Sequence, residues 1–382
     1  MKDIYKLLII LLFLGFISYS HYHRGSVIAR GAETGEVETE GADDGNVLTA
    51  ALANVLTNIG QSNPPAQASY SPNTPQFVVF SFDGSKSIEM LDETLAFARK
   101  MNMESKPLHF TYFINAVYFL TNENASFYTA PGHQAGASAI GFSNASRDIV
   151  KRVRSFNTAL AEGHEIGSHA VGHYNGKDWT YEQWKQEFIS FNTILADVQK
   201  NNPSVAIEIP NFGEKTIMGF RAPNLGVNDN MYKELADANF VYDTSGVGNP
   251  KQWPVKNAHG TWLIPLGIVH IGTNRVPVIS MDYSLWVHQS QAKEVAVKGS
   301  PLWQKYFDEL YQAYMEYFNI NYNGNRAPVI IANHFSKWND GVYWEALKAV
   351  AEEVCGKPDV RCVGFKDLVQ FLNTDTNHAV SI

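Results

Sequence analysis

QFVVFSFDGS, residues 76–85, opens as an unbroken apolar run of β-branched and aromatic residues and closes on Asp83, Gly84 and Ser85. That composition, stopped by turn formers, predicts a strand buried on both faces. Beyond it Ile88, Leu91, Leu95 and Ala98 recur at helical spacing. The same alternation then continues down the chain. LHFTYFI (108–114) reads as a second strand, 146–162 as a helix, and HEIGSH (164–169) as a short strand running into a turn. Trp184, Phe188, Phe191, Leu195 and Val198 mark an amphipathic helix. TIMGFRA (216–222) is strand-like, MYKELADA (231–238) helical and FVYDTS (240–245) a strand. TWLIPL (261–266) and VPVISMD (276–282) precede a long helix through YFDELYQAYMEYF (306–318). PVIIANH (328–334), a helix over 344–354, the strand VRCVGF (360–365) and a last helix over 367–373 complete the series. Two stretches, 121–148 and 244–300, lack periodicity and read as long irregular loops that shape a groove.

Repeated strand–helix alternation predicts a parallel sheet with crossover helices. With about seven such units the α/β chain is expected to close into a distorted (β/α) barrel rather than an open sheet. In barrels of this kind the chemistry sits where the strands end. Five ionisable groups fall at those ends: Asp83, His169, Arg221, Asp243 and His334. One such placement means little, since a lone histidine is more often a satisfied core residue. Five of them predict convergence on one mouth.

Within that set, His169 and His173 lie four residues apart. On a helical turn that spacing puts both imidazoles on one face, where both reach a single metal ion. Taken alone, such a pair is more often two surface histidines; the preceding strand raises its weight. Arg221 is placed to hold Asp83 ionised. Asp243 is placed to orient His334 as a proton donor.

The bulk numbers describe an ordinary globular mixture and narrow the class of partner. A chain of 382 residues with 45% hydrophobic and 18% charged residues can bury a sizeable core. Its net charge of -8 argues against nucleic acid, whose affinity comes mainly from Lys and Arg neutralising phosphates; a neutral or weakly charged substrate such as a glycan fits better. Most of the aromatic residues belong in the core; Trp286, Trp338, Tyr343 and Trp344 are candidates for stacking on sugar rings. At the N-terminus, MKDIYK followed by LLIILLFLGFIS has the make-up of a signal peptide, assigned to 1–20, with an uncleaved anchor as the alternative. Acidic, Gly-rich and Pro-rich segments make 21–76 a flexible linker, with one short helix over 48–59. The catalytic domain is assigned to 77–382. Export makes a Cys355–Cys362 disulfide the favoured pairing over two reduced thiols. No further membrane segment, no internal repeat and no G-x-S-x-G nucleophile elbow is seen. Nothing in the sequence sets the oligomeric state.

FSFDGS, SHAVGH, FRAPN, YDTS and ANHF, in this order, resemble the motifs of the polysaccharide deacetylase family, the carbohydrate esterases with a NodB homology domain. The resemblance covers roughly residues 77–374. It implies a NodB-like barrel, a divalent metal that is usually zinc, and hydrolysis of N-acetyl groups on peptidoglycan, chitin or a related glycan. By that resemblance His169 and His173 are metal ligands, Asp83 the general base, Arg221 its holder, His334 the acid and Asp243 the residue that tunes it. It also implies a periplasmic or extracellular protein with a polysaccharide as its partner. One departure matters: where the family has a second Asp as metal ligand, this chain has Gly84. Three outcomes stay open. Asp83 takes the metal itself; or Asp282 or Asn224 supplies the missing ligand; or the site binds metal poorly and the protein recognises glycan with little or no catalysis. An O-acetyl esterase acting on xylan is a further alternative.

Overall fold

The computed structural model describes residues 74–374. The expected signal peptide, the linker up to residue 73 and the short helix over 48–59 lie outside the described residues. No helix among the described residues is long and apolar enough to cross a membrane.

The first strand, β1 (Gln76–Gly84), is the hub. Its side chains alternate across the sheet, as strand geometry requires. Val78, Phe80 and Phe82 join the core layer beneath the helices. Phe77 and Val79 join a second, inner core, and Ser81 and Asp83 continue that inner row toward the strand's C-terminal end. Parallel partners flank β1 on either side: β2 (Thr111–Ile114) and β11 (Val329–His334), in a register that sets Asp83 beside both Phe113 and His334. The chain then adds β3 (Glu165–Ser168), β4 (Gly219–Phe220), β5 (Tyr242–Asp243) and β8 (Trp262–Leu263), each parallel to the one before. The order β11-β1-β2-β3-β4-β5-β8 therefore supplies seven parallel strands. The antiparallel β7 (Val255–Lys256) extends one end, and β12 (Val360–Cys362) pairs with β1. The sheet curls as a half-barrel, as the alternation predicted.

Helices cover its outer face. In α1 (Ile88–Met103), Ser87 caps the first turn by accepting the Met90 N–H, and Met90, Leu91, Leu95, Ala98 and Met101 are buried at helical spacing. α2 (Ser146–Ala161), α3 (Tyr181–Ala196), the single turn α4 (Val198–Asn201) and α5 (Asp229–Asp237) follow. Thr180 and Gln183 form a capping box on α3. Later come α6 (Asp282–Ser290), α7 (Pro301–Tyr322), α8 (Trp338–Val354) and α9 (Phe365–Thr374). The Cys355–Cys362 disulfide, as expected, ties the end of α8 to β12.

The region 244–300 is more ordered than its sequence suggested. It holds α6 and a three-stranded sheet of β6 (Val247–Gly248), β9 (Leu266–Ile271) and β10 (Val276–Ile279). The two-residue β6 carries no readable period, while β10 falls within the segment 276–282 singled out in the sequence. Within this small sheet Leu266 N donates to Gly246 O as β6 meets β9; against β11, Ala332 N donates to Ser280 O, and Met281 bridges Ala332. The stretch 121–148 is irregular apart from a 3-10 segment (Asn122–Phe127). Buried Arg152 ties this loop to the end of β1, donating to the carbonyls of Ser85, Lys86 and Tyr118 and to Ser143 Oγ.

The inner core is filled by aromatic rings that need glycine opposite them. A Cβ on Gly167 would stand 2.5 Å from the Phe113 ring, and one on Gly219 would stand 1.9 Å from the Tyr242 ring. Gly219→Ala forces Tyr242 off its position, where its hydroxyl donates to Glu165. Overpacking of this kind costs roughly 1–3 kcal/mol. Urea denaturation is expected to show Gly219→Ala destabilised by at least that amount.

Candidate active site

Each strand end delivers a polar side chain to the same mouth. Asp83, in the inner row of β1, is buried and accepts from Arg221 Nη1 at 2.7 Å. Arg221, just past β4, is wholly buried and its guanidinium makes four hydrogen bonds. Nη1 also donates to Ser81 Oγ, Nε donates to Thr244 O, and Nη2 donates to Thr244 Oγ1. Its plane lies over the Phe113 ring at 4.5 Å. Burial works against the Asp83 charge, but Arg221, with His169 and His334 nearby, outweighs it and holds the carboxyl below the usual aspartate range.

His169 follows β3. Its Nδ1 lies 2.7 Å from Arg221 O. A carbonyl oxygen only accepts, so Nδ1 carries the proton and Nε2 keeps its lone pair. Burial pushes the His169 imidazole below its ordinary value; His173 is pushed to about 3 by burial and by the neighbouring imidazoles of His169 and His334. Both rings are therefore neutral at physiological pH, the form that binds metal. The two ring centroids are 5.0 Å apart. Metal–nitrogen bonds of about 2.0–2.1 Å at a tetrahedral angle place two ligating rings about 5 Å apart. The pair thus fits one divalent ion.

The route to that spacing differs from the helical turn expected of H-x-x-x-H. Residues 170–173 form no helix; Ala170 and His173 adopt left-handed conformations (φ 57° and 60°). The loop is clamped from below by buried Glu187 of α3, which accepts from Val171 N at 2.8 Å and from the Tyr128 hydroxyl. Burial raises the Glu187 carboxyl to about 7, despite these bonds and a further one from the Gly172 backbone. Glu187 carries no local sequence signal: it occupies a buried position in an otherwise ordinary amphipathic helix.

His334 ends β11 beside Asp83. Its Nδ1 faces Asp282 Oδ1 at 2.7 Å, and its backbone N–H donates to Asp282 Oδ2 at 2.7 Å. This corrects the expected partner, Asp243. Asp243 instead accepts from the backbone N–H and hydroxyl of Ser245, whose Oγ accepts from Ala222 N beside Arg221. Asp243 thus braces the Arg221 turn, and burial raises its carboxyl to about 6. Asp282 was considered as a metal ligand; the structure commits both its oxygens to His334, with Oδ1 also accepting from Tyr283 N.

Asp83 does not complete a metal centre either. Among the described residues no three His, Cys, Asp or Glu side chains are grouped to hold an ion. Gly84 adds no side chain, and its φ of 99° suits glycine alone. Asn224 is half-buried in a left-handed turn after Pro223 (φ 54°). Of the aromatic candidates, Trp286 and Trp338 stack on each other at 4.5 Å, with Trp338 5.3 Å from His334. Trp344 is core, packed on Phe82 and Phe97, and buried Tyr343 accepts from Asn339.

No family model and no curated protein matches this sequence. Solved structures do match. One classed as a polysaccharide deacetylase, from Mycobacterium smegmatis, aligns at 16% identity with a TM-score of 0.50, covering 84% of this chain and 96% of that one. Another of that class, from Pseudomonas aeruginosa PAO1, aligns at 11% identity with a TM-score of 0.49, over 84% and 98%. At this identity the first likeness is one of fold: the chain has the NodB-like deacetylase barrel.

Removing one partner of a buried ion pair strands the other charge and costs about 3–5 kcal/mol. Arg221→Met is expected to lose that much in chemical denaturation. The double variant Arg221→Met with Asp83→Asn should lose less than Arg221→Met alone, because no charge is left unpaired.

Proposed function

We propose that this chain is an exported, metal-dependent hydrolase that removes acetyl groups from the N-acetylglucosamine units of a cell-wall polysaccharide, peptidoglycan or chitin-like. The observation that carries the reading is the pairing of two opposed proton handlers, Asp83 held by Arg221 and His334 held by Asp282, beside two neutral imidazoles. The deacetylase fold supports it. The disulfide supports an oxidising compartment.

In this reading His169 and His173 hold a divalent ion, zinc first, which when bound polarises the acetyl carbonyl and a water molecule. Asp83 takes the proton of the attacking water; its lowered pKa keeps it ionised, so the carboxylate can accept a proton. As the carbonyl carbon becomes tetrahedral, the C–N bond breaks and the nitrogen needs a proton. His334 supplies it. With Nδ1 fixed on Asp282, the proton exchange falls to Nε2, and the ring cannot turn away. The products are acetate and a free amine, without an acyl-enzyme. The Trp286–Trp338 stack beside His334 offers an apolar face for a sugar ring.

One observation favours a second reading, a glycan-binding protein with little catalysis: Gly84 and the lack of a third acidic or imidazole donor among the described residues. Acetate release from chitooligosaccharide, peptidoglycan and acetylated xylan separates the two. The hydrolase reading expects release from the N-acetylated polymers, abolished by chelator and restored by zinc. General acid–base groups contribute roughly 10²–10⁴-fold, so Asp83→Asn and His334→Ala should each lose at least about 10²-fold in kcat. Release from xylan alone would make the protein an ester hydrolase. No release from any polymer, with glycan binding retained, would establish the second reading.

A further inference from the structure

Catalytic zinc sites use three protein ligands and leave one position open. Here two imidazoles are in place and no third His, Cys, Asp or Glu joins them among the described residues. The remaining donors at this mouth are neutral oxygens. Asn115 lies immediately past β2, two residues beyond Phe113, so it falls on the face that Phe113 turns to the inner core. Its backbone N–H donates to Gly84 O, which sets it alongside the position that lacks a side chain. It is fully buried.

The orientation of its carboxamide is fixed by chemistry. Nδ2 donates to the backbone carbonyl of His169. A carbonyl cannot donate, so the nitrogen must be on that side and Oδ1 on the other. Oδ1 is buried and has no hydrogen-bond partner. Buried amide oxygens without partners are rare, because desolvation is then uncompensated. Amide oxygens ligate hard divalent cations such as Ca²⁺, and an oxygen donor, usually a carboxylate, also completes zinc sites with two histidines. Resting on the metal reading of His169 and His173, we infer that Asn115 Oδ1 is the third protein donor to that ion.

Two other buried oxygens near these strand ends lack partners, Ser85 Oγ and Asn333 Oδ1. Asn333 alternates with Ala332 and His334, so it faces away from the mouth. Ser85 offers a neutral hydroxyl and has no bond to either histidine-bearing segment among its contacts. Asn115 alone is bonded to a residue that carries one of the imidazoles. The same carboxamide thus positions the His169 backbone and presents an oxygen. A His₂Asn set carries no charge, so the ion keeps its full positive charge for the substrate carbonyl.

The test is direct binding of Zn²⁺ and Co²⁺ to the full chain, by calorimetry and by cobalt absorption, for the wild type, Asn115→Ala, Asn115→Asp and Ser85→Ala. The wild type is expected to bind one ion. Asn115→Ala should weaken binding by at least roughly tenfold, since even indirect supports of a metal site cost 10–100-fold. Asn115→Asp, which restores an oxygen and adds charge, should bind more tightly than Asn115→Ala and shift the cobalt spectrum. Ser85→Ala should bind as the wild type does. If Asn115→Ala fails to fold, the spectral shift in Asn115→Asp carries the test. Wild-type affinity in Asn115→Ala, an unshifted cobalt spectrum in Asn115→Asp, or a loss in Ser85→Ala alone overturns the inference and leaves the two-histidine site standing. A wild type that binds no ion overturns both.

Discussion

The buried ion pair of Arg221 and Asp83 is the contact on which this mouth depends. Two charges removed from water are tolerated only when every donor and acceptor finds a partner. Arg221 directs four of its five N–H donors to Ser81, Asp83 and Thr244, while Phe113 covers its face. These contacts bind β1, the turn after β4 and the turn after β5 into one unit. Its own backbone carbonyl receives the His169 Nδ1 proton. One residue therefore fixes the charge of the carboxylate and the tautomer of an imidazole.

Burial then sorts the titratable groups by what stands beside them. Asp83 and Asp243 are both buried at strand ends, yet their pKa values move in opposite directions. Asp83 goes down because the Arg221 guanidinium outweighs its burial; Asp243 rises to about 6 because burial outweighs the bonds it accepts from Ser245. Desolvation pushes His169 and His173 toward the neutral form. The result is an ionised carboxylate beside neutral imidazoles, which is the division of labour that acid–base chemistry in a closed site requires. Glu187 and Asp243 act one step back, clamping the loops that carry His173 and Arg221.

Much of this was legible in the sequence, and the exceptions have physical reasons. The apolar run of β1 announced a strand buried on both faces, and the alternation that follows announced seven parallel strands. The five polar strand ends do gather at one mouth. The partner of His334 was misread because Asp243 and Asp282 both follow strand-like segments, and local pattern does not say which lies beside β11. That choice is made by the Met281–Ala332 bridge, a pairing between distant segments. The H-x-x-x-H spacing gave the right pair of rings for the wrong reason. Left-handed turns at Ala170 and His173, clamped by Glu187, bring them together where a helix was assumed. Tyr343 and Trp344 look like sugar platforms in sequence and are core, because the start of α8 turns them inward.

The proposed hydrolysis requires His169 and His173 to share one ion next to an Asp83 that stays on Arg221. Crystals grown with zinc, measured at the zinc absorption edge, test this most directly. A single anomalous peak at coordinating distance from both Nε2 atoms, with the Arg221–Asp83 contact intact, is the predicted result. A peak held by Asp83 with Arg221 displaced, or no peak between the two rings, would contradict it.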